Sequence, residues 1–231
     1  MKKIVIFALV MPALLFMWRG CYSPIIVAEP FEAWVADAET GAPIEGAIVV
    51  AEWSLYEGTF HGHHFREMVD VKEAVTDKNG RFAFDGFTIH NWKIYELENG
   101  PRVIIFKPGY EYRVQNASCG SSGGDCPWAR RIASVAGQRV ALKKVDYVAA
   151  GTKPNGTRGD LYFGLRTKLD DVFKSCNLRK IPLFLTAVDM EKKRLVQAGF
   201  SGYVDLPSAD EVNRHQSYCE IEKEAIEGKQ K

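Results

Sequence analysis

Five cysteines among 231 residues constrain this chain more than any other feature. Four fall into two local pairs, Cys119 with Cys126 and Cys176 with Cys219, and Cys21 is left over near the start. Disulfides persist in oxidising surroundings, and an odd cysteine there needs its own explanation. The segment between Cys119 and Cys126 is rich in glycine and serine. It can bring two Cα atoms within bridging distance, and closing so short a loop contributes about 2–3 kcal/mol in the chain-entropy picture. A bridge from Cys176 to Cys219 would close about forty residues and contribute about 4 kcal/mol.

The first twenty residues fit the same compartment. Lys2 and Lys3 precede an apolar run from Ile4 to Trp18, interrupted by Pro12. The run is shorter than the roughly 17–25 residues that span a bilayer, and a charged start before it is the pattern of a secretory signal. Gly20-Cys21 at its end resembles a bacterial lipoprotein signal, which implies lipid attachment at Cys21 and a membrane partner through that anchor. Trp18 and Arg19 replace the Leu and small residue usual before such a cysteine. An ordinary signal cut nearer Ala28, or an uncleaved anchor, is the alternative. Tyr22 stands where an aspartate would retain a lipoprotein at the inner membrane. The expected location is the cell envelope, as an outer-membrane lipoprotein or in the periplasm.

Residues 1–20 hold three cations and no anions, so the chain beyond them carries 27 Lys and Arg against 29 Asp and Glu. That balance gives no basic footprint for nucleic acid. Aromatic residues make up 12% of the chain, enough to build a core rather than leave it disordered.

From Phe31 the pattern alternates and favours β-formers. Phe31–Val35, Ala47–Trp53, Arg81–Phe87, Arg102–Phe106 and Gln138–Lys143 read as strands, with Ala47–Trp53 apolar enough to be central. Thr40-Gly41-Ala42-Pro43 has turn chemistry, and Asn79-Gly80 predicts a hairpin. Phe82 and Phe84 are expected in the core, and the polar stretch Glu57–Glu67 is expected to form a loop between strands. Short strands separated by such turns argue for an antiparallel β-sandwich.

Three segments carry a resemblance: Val35-Ala36-Asp37 with Thr40 through Ala47, Thr76-Asp77-Lys78-Asn79-Gly80-Arg81-Phe82, and Phe106-Lys107-Pro108-Gly109-Tyr110. They look like a carboxypeptidase regulatory-like domain. The resemblance implies a transthyretin-like (prealbumin-like) sandwich over residues 30–147 and an accessory or adhesive role. It brings no activity with it. His64-Phe65-Arg66-Glu67 has the spacing of metallocarboxypeptidase zinc ligands, but the βαβ succession of those enzymes is absent from the sequence.

After a tether over 21–29, the sandwich, and a linker over 148–157, the period becomes helical for 158–231. Leu161, Leu165, Leu169, Val172 and Cys176 recur at helical steps and predict a helix over 160–176, started by Asp160. Pro182 predicts the first turn of a second helix, carrying Leu183, Phe184, Val188, Leu195 and Val196 and ending at Gly199. A third is expected from Ala209 to Ile226, capped by Ser208. Cys176 and Cys219 would each sit late in a helix, and their bridge would staple the unit.

No catalytic constellation is recognisable in the sequence. The leading expectation is therefore a non-catalytic envelope module binding a protein or glycan. The alternatives are a periplasmic protein that holds zinc or copper on His61, His63 and His64, or an enzyme of unfamiliar type. Imidazoles suit such metals, but spacing supplies no third and fourth ligand beyond that loop.

Overall fold

The structure is a computed structural model and describes residues 25–59, 62–90, 96–97, 100–116, 130–131, 133–146, 162, 164–169, 172–173, 175–200, 207 and 209–228. The leader, Cys21, His61, Cys119, Cys126, the linker, Asp160 and Ser208 lie outside those residues. The strands are β1 (Ile25–Ala28), β2 (Phe31–Asp37), β3 (Ile48–Thr59), β4 (Gly62–Val75), β5 (Arg81–Phe84), β6 (Phe87–His90), β7 (Glu96–Leu97), β8 (Arg102–Phe106), β9 (Arg113–Gln115), β10 (Arg130–Arg131) and β11 (Arg139–Leu142). Helical elements follow: α1 (Leu165–Lys168), a 3-10 turn (Leu178–Lys180), α2 (Pro182–Gln197) and α3 (Ala209–Gly228). The chain is mainly β, with the helices at its C-terminal end.

The strands form three sheets: β10-β1-β6, β11-β2-β5, and a larger sheet ordered β4-β3-β8-β9 with β7 alongside β3. Most pairs are antiparallel, but β2 with β11 and β1 with β10 run parallel. The large sheet sits in the middle. On one face Val49, Ala51, Trp53, Leu55, Val103 and Ile105 share a core with Phe31, Phe82, Phe84 and Leu142 of the small sheets. On the other, Ile48, Val50, Ile104 and Phe106 share a second core with Leu165, Leu169, Phe184, Val188 and Leu195. A strand buried on both faces needs a near-continuous apolar run, and β3 is buried at every residue from Ile48 to Leu55.

Three expectations change here. The Asn79-Gly80 turn does not close a hairpin: β4 pairs with β3, and β5 pairs with β2 in another sheet. The turn carries the chain from the large sheet to the β11-β2-β5 sheet. Positive φ is still required, and Gly80 supplies it at +73°. The stretch Glu57–Glu67 is strand through most of its described length, because β3 and β4 form one long antiparallel pair from Ile48↔Val75 to Thr59↔Gly62. Register shifts opposite Trp53/Ser54 and Leu55/Tyr56 leave Val69 and Arg66 as extra residues on β4. Of the predicted helix over 160–176, the described residues are helical at α1 and again at Val172 and Phe173, with Leu169 in a turn between them. Tyr162 and Cys176 both take left-handed φ near 58°, which a helix interior does not admit, and Cys176 lies in a turn.

The second helix begins at Pro182 as expected, with proline in its first turn. It ends in a Schellman motif, in which Phe200 N–H donates to Leu195 O and Gly199 N–H to Val196 O, both at 3.0 Å. Phe184, Ala187, Val188, Glu191 and Leu195 form its buried stripe, whereas Leu183 and Val196 are exposed. Phe184 packs edge-on against Phe106 with ring centroids 5.6 Å apart. The predicted bridge between Cys176 and Cys219 is present, with Cα atoms 5.7 Å apart.

Candidate functional site

Three places hold the residues singled out from the sequence. The first is the β3–β4 ribbon. β8 pairs with β3 only from Ile48 to Glu52, and β7 only at Leu55 and Tyr56. Beyond that, among the described residues, Glu57, Gly58 and Thr59 pair with β4 alone. The backbone of His64 pairs with Glu57 and that of His63 with Gly58. Those two histidines therefore stand on a strand near the tip of a two-stranded arm, not in a coil. Among the described residues, no group of three His, Cys, Asp or Glu is gathered for a metal ion.

The second place is the end of the sandwich where the three resembling segments meet. Asp37 Oδ1 accepts from Glu39 N–H (3.0 Å), Thr40 N–H (2.9 Å) and the Thr40 hydroxyl (3.1 Å). Its Oδ2 accepts from the Tyr110 hydroxyl at 3.1 Å and faces Lys144 Nζ at 3.5 Å. The backbone bond from Thr40, helped by the others, holds the Asp37 carboxyl well below the usual carboxylate range despite the cost of burial. Burial pushes the Tyr110 hydroxyl up, and the adjacent carboxylate adds to that shift. Thr76 Oγ1 donates to Ile44 O (2.7 Å) and accepts from Ala47 N–H (2.8 Å). Asp77 Oδ1 accepts from Arg81 N–H (2.9 Å) and Asn79 N–H (2.8 Å), which lowers its pKa. Lys107 Nζ reaches Glu45 O at 2.8 Å. Each polar side chain here ties one chain segment to another, so this cluster orders turns.

Two further carboxylates, not found from the sequence, bind the layers together. Glu52 is fully buried on β3 and accepts from Arg102 Nε at 2.7 Å across the β3–β8 pair. Glu191 is buried on α2 and accepts from the Tyr162 hydroxyl (2.8 Å), Gly109 N–H (3.4 Å) and both Arg194 Nε and Nη2 (2.8 Å each). Burial pushes Glu191 up, but these bonds outweigh it and leave the carboxyl below its ordinary value. The signal missed was the pairing of isolated charges with apolar periodicity: Glu52 interrupts a buried strand, and Glu191 lies on the buried face of α2.

The third place is the bridge itself. Cys176 is exposed and Cys219 half-buried. His215, one turn before Cys219 on α3, places Nδ1 3.7 Å from Cys219 Sγ. Its ring packs edge-on against Phe173, with centroids 5.3 Å apart. Sequence reading paired the cysteines but left His215 unremarked, although the i, i+4 spacing on a helix puts the two side chains together.

No family model and no curated protein matches the chain. Among solved structures that match is a 9R-lipoxygenase from Cyanothece PCC8801, at 12% identity and a TM-score of 0.24. The match covers 74% of this chain and 25% of the lipoxygenase, so the chain spans about a quarter of that protein's length.

Proposed function

We propose that the protein is a non-catalytic module of the cell envelope, carried as a lipoprotein on Cys21, which binds a protein or glycan through the β3–β4 arm. The observation that carries this reading is the arm: among the described residues, the β-ribbon runs past the strands that flank β3 and leaves backbone edges available for pairing. Strand edges recruit extended partners by adding hydrogen bonds along the backbone. The finer fold assignment, a transthyretin-like sandwich of the carboxypeptidase regulatory-like type, is supported by the bonds among the Asp37–Thr40, Thr76–Arg81 and Lys107–Tyr110 segments. A partner-facing arm on a rigid two-core body is a sensible division of labour, because loops and ribbons carry contacts while packed sheets hold their aim.

The test is site-specific photo-crosslinking in intact envelopes. A crosslinking residue at Thr59 is expected to yield a discrete adduct, and one at Thr186 on the exposed side of α2 is expected to yield none. Equal labelling from both positions, or none from Thr59, contradicts the reading. Mass spectrometry of the mature N-terminus checks the anchor separately: a diacylated Cys21 is expected.

A further inference from the structure

We propose that the Cys176–Cys219 bridge is a thiol–disulfide exchange site, opened by an external thiolate that attacks Cys176 while Cys219 leaves as a thiolate beside His215. Direction follows from the surroundings of the two sulfurs. Cys176 is exposed in a turn, so an incoming thiol can reach it. Cys219 is half-buried and has the His215 imidazole 3.7 Å from its sulfur. A ring N–H that donates to a neighbouring thiolate stabilises it, and the better-stabilised thiolate leaves faster. Phe173 packs edge-on against the same ring, with centroids 5.3 Å apart. Cys176 also has a left-handed backbone (φ 58°), a conformation that residues with a Cβ seldom take.

The step balances. The attacking thiolate forms a bond to Cys176 Sγ, the bond between the protein's sulfurs breaks, and its electron pair departs with Cys219. A second thiol, or the other sulfur of a dithiol, then attacks the mixed disulfide, frees Cys176 and leaves the reductant as its own disulfide. Two electrons and two protons pass from the reductant to the protein. The consequence is local to α3. Among its described residues Val212 is the buried one, and its other contacts include the Phe173–His215 ring pair and the Lys192–Glu211 and Arg179–Glu220 ion pairs. Surface ion pairs hold a helix weakly, so opening the bridge loosens the attachment of α3 to the sheet-bearing body.

Glutathione is the probe. The oxidised full-length protein is treated with it, quenched with N-ethylmaleimide and mapped by mass spectrometry. Glutathione on Cys176 with maleimide on Cys219 is expected; the opposite placement, an even mixture, or a bridge that stays closed overturns the proposal. In parallel, His215→Gln is expected to slow reduction by dithiothreitol about threefold to tenfold, as loss of leaving-group stabilisation predicts. An unchanged rate in a variant with an unchanged melting temperature overturns it as well. The mapping uses the unaltered chain and stands whether or not the variant folds.

Discussion

Glu73 on β4 caps the helix that begins at Pro182: its carboxylate oxygens accept from Leu183 N–H at 3.0 Å and Phe184 N–H at 2.9 Å. The first N–H groups of a helix have no partner within it, and α2 has no capping side chain of its own, since Ile181 stands at that position. A residue of the central sheet supplies what the local sequence lacks. The same bond fixes where the helix lands, with Phe184 against Phe106.

Replacing Glu73 with Ala should therefore cost about 1–2 kcal/mol, the range for a lost helix cap. Urea unfolding checks it. Glu73→Gln keeps one acceptor oxygen and should fall between the two, whereas a loss no larger than that of an ordinary surface substitution would mean the cap contributes nothing.

Asp37 gives a pH signature. Its folded carboxyl binds a proton less readily than the unfolded one, because Thr40, Glu39 and Tyr110 all donate to it. The stability it supplies is complete above the unfolded value of about 3.9 and drains away as pH falls toward the lower folded value. The melting-temperature gap between the native chain and Asp37→Asn should narrow from about pH 5 to about pH 2. A gap constant over that window contradicts the assignment.

The buried pair on β3 and β8 predicts an asymmetry. Arg102→Met leaves Glu52 buried without its guanidinium and should cost about 3–5 kcal/mol. Adding Glu52→Leu should recover most of that loss, because two apolar residues there no longer strand a charge. Denaturant titration of the single and double variants measures the coupling, and additive losses would show that the pair is not a unit.

Gly80 is predicted to resist any side chain. A Cβ there would stand 2.3 Å from Val35 O, and the backbone φ is +73°. Gly80→Ala should destabilise by about 2–4 kcal/mol, combining a left-handed penalty with displacement of β2. Thermal unfolding gives the answer, with a near-neutral outcome counting against the crossing described for this turn.

What the sequence revealed and what it hid divide along a physical line. Alternation located β2, β5, β8 and β11, and placed Phe82 and Phe84 in the core. Pro182 and Gly199 bracketed α2, because caps and breakers act within a turn of themselves. The partner of each strand was hidden. Asn79-Gly80 has the right chemistry for a reversal, yet Phe82 and Phe84 pack against Phe31 and Trp53, and that packing draws β5 to β2. The polar composition of 57–67 looked like coil because ribbon residues beyond a sheet need no apolar face. Apolar spacing over 160–176 read as one helix; Leu165 and Val172 are helical and Leu169 lies in a turn between them, and all three reach the same core. Of the residues proposed as functional, the bridge between Cys176 and Cys219 was legible from cysteine counting. The histidine beside it and the buried Glu52 and Glu191 depend on contacts made far along the chain.

The doubly covered sheet also sets an order of events. Strands β3 and β8 reach the ribosome exit, or a translocation channel, long before Pro182 does. Until the residues from Tyr162 onward arrive, Ile48, Val50, Ile104 and Phe106 lack most of the side chains that cover them in the folded chain. Nascent intermediates of this kind are where chains stick to one another. Late truncation, which removes that cover and leaves the sheet, should therefore harm yield more than early trimming.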